Sequence, residues 1–148
     1  MNNLIKIYTI GFTKKTAEQF FNKLKTAGVK RVIDIRLYNR SPYAGFTKKD
    51  DLKYFLKVIA GIEYQHIPEL APTLAIFEEY KTNKGDWAVY EKQFLALMPE
   101  RKIADQLSPD IFQEACLLCS ENTPEHCHRR LVAEYLNNKW GNIEIKHL

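Results

Sequence analysis

Apolar residues recur along this chain with two periods, and their alternation predicts strands separated by helices. Leu4 to Ile10 alternates and is rich in Ile and Tyr, the pattern of a strand. Gly11-Phe12 follows as a turn. Thr13 or Thr16 can cap a helix running to about Ala27, with Phe20, Phe21 and Leu24 on its buried side and Gly28 as its terminator. Val29 to Leu37 reads as the second strand. A strand–helix–strand opening of about 35 residues has the length of a parallel crossover unit.

A loop from Tyr38 to Thr47 carries Ser41-Pro42 and Gly45. Lys49 to Ala60 is a predicted helix with Leu52, Phe55, Leu56 and Ile59 facing inward and Gly61 as its stop. Ile62 to His66 is a short third strand, beyond which Pro68 and Pro72 break regular structure. A helical stretch follows from Leu74 to Lys81, and Lys84-Gly85 interrupts it. Asp86 can cap a further helix ending near Met98-Pro99, and a helix or turn lies between Arg101 and Leu107. Ala115 to Cys119 has no charged side chain and reads as a buried strand. Asn122-Thr123-Pro124-Glu125 is a helix start: a capping residue, proline at the first helical position, then an acid. That helix is expected to run to about Asn138, before Gly141 and a closing strand from Ile143 to Leu148. Strands alternating with helices predict an α/β fold, one domain over residues 1–148, with a mainly parallel sheet flanked by helices on both faces.

Composition narrows the class. The chain has 148 residues, enough to bury a core. Its apolar runs fall far short of the roughly 18 residues of a membrane span, so no membrane partner is expected. The first ten residues lack a basic leader and an unbroken apolar stretch, which points to a cytoplasmic protein. A net charge of +4 permits an anionic small molecule or nucleic acid as partner without demanding either. Three cysteines, Cys116, Cys119 and Cys127, are an odd number lying close together, so a disulfide framework is not expected. They are core thiols, metal ligands or a reactive thiolate.

In parallel sheets ligands bind beyond the C-terminal strand ends. There the predicted elements place Gly11, Asp34, Arg36, His66, Cys119 and Glu121. Asp34 and Arg36 stand two apart on a strand and share a face, where they can hold a ligand or pair with each other. Cys127, Leu131 and Tyr135 form one row of the last predicted helix, and His128, Val132 and Leu136 form another. Cys127 and His128 therefore face the sheet, in opening turns that favour an anion or a thiolate. Arg129 can act as a second clasp on an anion. His126 and His147 read as surface residues, the tyrosines mostly as packing, and Cys116 as core.

A zinc site is the natural competitor, because Cys116-Leu-Leu-Cys119 has C-x-x-C spacing. Residues three apart on a strand point to opposite faces, however, and ligands at 127 and 128 would differ by about 100° around a helix. No metal ligand is therefore assigned, and the cofactor stays unknown. The Cys-x5-Arg loop of tyrosine phosphatases is absent, since Glu125 stands six residues after Cys119. Glycine-rich phosphate loops and Ser-His-Asp signatures are absent as well.

These motifs resemble domain-of-unknown-function family 488. The resemblance rests on Thr9-Ile10-Gly11-Phe12, Asp34-Ile35-Arg36, Arg40-Ser41, Tyr64-x-His66, and Cys119-x-Glu121 followed by Cys127-His128-Arg129. It runs in family order along essentially the whole chain, and the last motif is the most specific. Leu70-Ala71-Pro72-Thr73 departs from the Leu-Gly-Gly of many relatives. The resemblance implies an α/β fold and a shared polar cleft, with Arg40 and Ser41 among its ligand-binding residues, but no reaction. Three functions follow from the residues. The first is an enzyme on an anionic substrate with Cys127 or Cys119 as nucleophile and His128 or Glu121 moving protons. The second is a non-catalytic module binding nucleic acid or another anion, and the third is a metal-binding protein.

Overall fold

The computed structural model describes residues 4–39, 42–82 and 85–148. In chain order the main elements are β1 (Ile5–Gly11), α1 (Ala17–Ala27), β2 (Arg31–Asp34), α2 (Lys49–Phe55), β3 (Glu63–His66), α3 (Leu74–Thr82), α4 (Trp87–Glu100), α5 (Ile103–Gln106), β4 (Ala115–Cys119), α6 (His128–Trp140) and β5 (Ile143–His147). The strands form a single parallel sheet in the order β3-β2-β4-β1-β5. The expected α/β class, with helices around a mainly parallel sheet, is what the chain adopts.

Local chemistry explains the boundaries. Thr16 and Gln19 form a capping box at the head of α1: the Thr16 hydroxyl accepts from the Gln19 amide at 3.1 Å, and the Gln19 side chain accepts from the Thr16 amide at 2.9 Å. Gly28 closes that helix at φ 78°, a left-handed value that glycine adopts without a Cβ penalty. Asp86 caps α4 by accepting from the Val89 amide. Two apolar clusters cover the two faces of the sheet. Phe20, Phe21 and Leu24 of α1 pack with Leu52, Leu56, Val32, Ile10 and Leu118 on one face. Tyr90, Phe94 and Met98 of α4 and Leu131, Val132 and Leu136 of α6 pack with Ile7, Ile33, Ile35 and Leu117 on the other.

Three expectations need correction. β2 ends at Asp34, so Arg36 lies beyond the strand. The helix from Lys49 widens into an i→i+5 turn over Leu56–Ala60, which shifts the angular position of later residues and leaves Ile59 43% exposed rather than inward. The last helix begins at His128, not after Asn122. Residues 121–127 turn and bend instead, because arginines further along take carbonyls of this segment. Arg129 donates to Glu121 O and Asn122 O, and Arg130 donates to Glu125 O. Among the described residues no helix is long and apolar enough to cross a membrane.

Strand order fixes where a site can form. β2 and β4 are neighbours, yet the chain leaves β2 toward α2 on one face and leaves β4 toward α6 on the other. The loops therefore diverge and open a crevice at the C-terminal ends of these two strands.

Candidate functional site

That crevice is a pocket enclosing about 130 Å³. Arg36, Leu37 and Tyr38 line it from the loop after β2, and Cys119, Ser120 and Glu121 from the end of β4 and the loop that follows. His126, Cys127 and His128 come from the head of α6, while Phe77, Tyr80, Trp87 and Tyr90 come from α3 and α4. Pro72 lines it too, beside buried Leu70 and Ala71.

Its floor is a cluster of three buried donors. One ligating atom each of Cys119, Cys127 and His128 lies within 4.8 Å of the others. Cys127 is the N-cap of α6, with extended backbone at φ −140° and ψ 138°. It is therefore not one helical step from His128. The expectation that helix geometry would hold 127 and 128 apart fails for this reason, and the two side chains converge on Cys119.

His128 is oriented by its far nitrogen. Nε2 stands 2.6 Å from the carbonyl oxygen of Ile35, which can only accept, so Nε2 carries a proton. In the neutral ring Nδ1 then offers a lone pair, and it faces Cys119 Sγ at 3.4 Å. The Cys119 thiol titrates below the ordinary range. The Cys127 thiol hydrogen-bonds to it, and the Ser120 amide, the Arg129 charge and the Glu121 amide add to this, together outweighing burial. Cys127 moves the other way, because burial and the neighbouring Cys119 hold its proton on. Cys116 lies in the opposite core cluster, and burial raises its thiol.

Arg129 is fully buried, and among the described residues no carboxylate stands within ion-pair distance of it. Its guanidinium donates to Thr9 Oγ1 at 3.2 Å and to the carbonyls of Glu121 and Asn122. It sits beneath the β4–α6 loop as a fixed positive charge and does not line the pocket. Gly11 serves the same loop. A Cβ there would lie 1.5 Å from Glu121 O, so only glycine lets the loop cross the end of β1.

Asp34 and Arg36 pair with each other. Arg36 Nε donates to Asp34 Oδ1 and its Nη2 to Oδ2, both at 2.8 Å, and Nη2 also donates to Thr47 O. Tyr64 Oη donates to Asp34 Oδ2 at 2.6 Å, closing a buried network beside the pocket. Arg36 reaches the pocket wall with this network already holding it. His66 Nε2 lies 3.4 Å from Arg36 O, outside the pocket lining. Arg40 and Ser41 fall outside the described residues.

Of the residues named from sequence, the pocket unites Arg36, Cys119, Glu121, Cys127 and His128. The aromatic wall was not foreseen. Trp87 stacks on Tyr90 at 5.0 Å and 22° and on His126 at 5.1 Å and 18°, and Tyr38 meets Phe77 edge-on at 5.6 Å. His126 is exposed, as a surface residue should be, yet it belongs to this wall. The spacing Phe77-x2-Tyr80 and Trp87-x2-Tyr90-x3-Phe94 was a readable signal, since it stacks rings on one face of each helix.

No curated protein and no solved structure matches the chain. The model of the family described as "Domain of unknown function DUF488" matches residues 16–136, most of the chain. With its Cys119-x-Glu121 and Cys127-His128-Arg129 segments inside that span, the chain belongs to the DUF488 family.

Proposed function

We propose that this protein is a cysteine-dependent enzyme in which Cys119 is the nucleophile and His128 its proton partner. One observation carries the reading: Cys119 Sγ lies 3.4 Å from a His128 nitrogen whose ring is fixed by the Ile35 carbonyl, on the floor of a pocket. A nucleophile within reach of a base, with the base oriented by a third group, is the arrangement nucleophilic catalysis needs. The Cys119 proton passes to Nδ1. The sulfur then forms a bond to an electrophilic carbon or phosphorus while the bond to the leaving group breaks. The imidazolium returns the proton to the leaving group. Water then gives a proton to Nδ1 as its oxygen bonds to the same carbon or phosphorus, the bond to sulfur breaks, and the proton returns to Cys119. The Ser120 and Glu121 amides steady the sulfur, and buried Arg129 supplies a fixed positive field. Glu121 lines the pocket, and in this reading its carboxylate orients the incoming water.

The ligand enters between aromatic side chains, which grip by ring contact and exclude water. An anionic group on it would meet the head of α6, since the two buried arginines already have partners. The test is alkylation of the chelator-treated, reduced chain with iodoacetamide, mapped by peptide mass spectrometry. Cys119 is expected to react first, Cys116 not at all in the folded chain, and His128→Ala to slow Cys119. If Cys119 reacts no faster than it does in the urea-unfolded chain, the reading is wrong.

A further inference from the structure

The geometry points to a second use of the same floor: Cys119 Sγ, Cys127 Sγ and His128 Nδ1 bind one zinc ion, with its fourth position open to the aromatic pocket. The inference rests on the pocket floor described above but does not require that the enzyme reading hold. Three features support it independently. The first is the donor set. Two thiolates and one imidazole are the soft and borderline ligands that select zinc, and three protein ligands with one open position is the catalytic-type arrangement. The second is spacing. Zinc–sulfur and zinc–nitrogen bonds of ordinary length give tetrahedral S···N edges of about 3.5 Å, and Cys119 Sγ and His128 Nδ1 stand 3.4 Å apart without any metal. The third is the outer contact. A ligating histidine donates its other N–H to a carbonyl or carboxylate, which fixes the ring, and His128 does so to Ile35 O at 2.6 Å.

Charge fits as well. Two thiolates neutralise the divalent ion, so the loaded cluster buries no net charge among three side chains that are each at most 6% exposed. Binding forms two zinc–sulfur bonds and one zinc–nitrogen bond, and the thiol protons go to the solvent. All three residues line the pocket, so the fourth position receives water or an atom of the pocket's occupant. Zinc and the nucleophilic role compete for the same sulfur. The loaded and free chains are therefore two states of one cluster, and zinc switches Cys119 off as a nucleophile.

The experiment uses the reduced full chain stripped by chelator and titrated with cobalt(II), then zinc. Cobalt should bind one per chain, with a thiolate charge-transfer band and the visible bands of a tetrahedral centre, and zinc should displace it. Cys116→Ala should behave as wild type. Cys119→Ser and Cys127→Ser should each halve the charge-transfer intensity, and His128→Ala should leave it while weakening binding by at least about tenfold. Zinc should protect Cys119 and Cys127 from iodoacetamide. The assignment fails if no charge-transfer band develops, if Cys127→Ser keeps the wild-type band, or if one metal takes two chains. A stripped chain that alkylates at Cys119 but binds no cobalt overturns the metal site alone. A chain that binds cobalt as stated but whose stripped Cys119 is inert overturns the enzyme reading alone.

Discussion

Gly11→Ala perturbs the site chiefly through the backbone of the loop that crosses β1. The new methyl group would sit 1.5 Å from Glu121 O, 2.5 Å from Glu121 C and 2.9 Å from Arg129 Nη1. The first two are backbone atoms, so no rotamer change relieves the clash, and the β4–α6 loop must move outward. Forcing extra volume into packed structure costs about 1–3 kcal/mol. Moving the loop also strains the bond from the buried Arg129 guanidinium to Glu121 O, and a hydrogen bond from a charged group contributes about 1.5–3 kcal/mol. Together these give a loss of roughly 2.5–6 kcal/mol, which at a slope of about 2 kcal/mol per molar urea lowers the unfolding midpoint by about 1–3 M. The measurement is urea unfolding followed by far-UV circular dichroism, with iodoacetamide labelling of Cys119 alongside. Labelling should slow, because the same shift moves the Ser120 and Glu121 amides away from the sulfur. A loss below about 1 kcal/mol with unchanged labelling would show that the loop has another way past β1, and the reasoning about Gly11 would fail.

Asp34→Ala should cost about 3–5 kcal/mol, because it leaves the buried Arg36 guanidinium without its carboxylate; an unchanged urea midpoint would contradict the network. Tyr64→Phe removes the donor to Asp34 Oδ2 together with the hydroxyl that meets the Asn39 side chain, and should cost about 1.5–3 kcal/mol, read in the same assay. His147 is held below its ordinary pKa by partial burial and by the Arg129 charge, so protonation favours the unfolded chain. Its contribution to stability is present above the ordinary histidine range and is lost as pH falls through it. His147→Gln should therefore flatten the urea midpoint between about pH 7 and pH 5 relative to wild type, and parallel profiles would refute that assignment. Trp87→Ala opens the aromatic wall and should leave cobalt binding intact; loss of the cobalt spectrum in a folded variant would mean that Trp87 supports the floor as well as the wall.

The layers of this fold were legible because hydrophobic periodicity states them directly. Ala-Cys-Leu-Leu-Cys could only be a buried strand, and Thr16, Gly28 and Asp86 punctuate their helices by local chemistry alone. The convergence of Arg36, Cys119, Glu121, Cys127 and His128 was legible too, because a parallel sheet gathers its strand ends on one edge. The segment 121–127 was not. Its residues carry a good helix start, and what overrides that signal is two arginines further along that bind its carbonyls, a tertiary effect invisible in the local pattern. That one difference decided how the cysteines were read: as helix positions Cys127 and His128 diverge, and as an N-cap and a first helical residue they converge. The aromatic wall was missed because rings at helical spacing normally mark core, and only the strand order shows that α3 and α4 stand over the mouth of the crevice.

The most direct measurement is the order in which the cysteines of the reduced, metal-free chain react with iodoacetamide at neutral pH. Cys119 should be modified first and His128→Ala should slow it, while Cys116 stays unmodified until the chain unfolds. Equal labelling of Cys119 and Cys127 in the folded chain, unaffected by His128→Ala, would contradict a nucleophile seated at the end of β4.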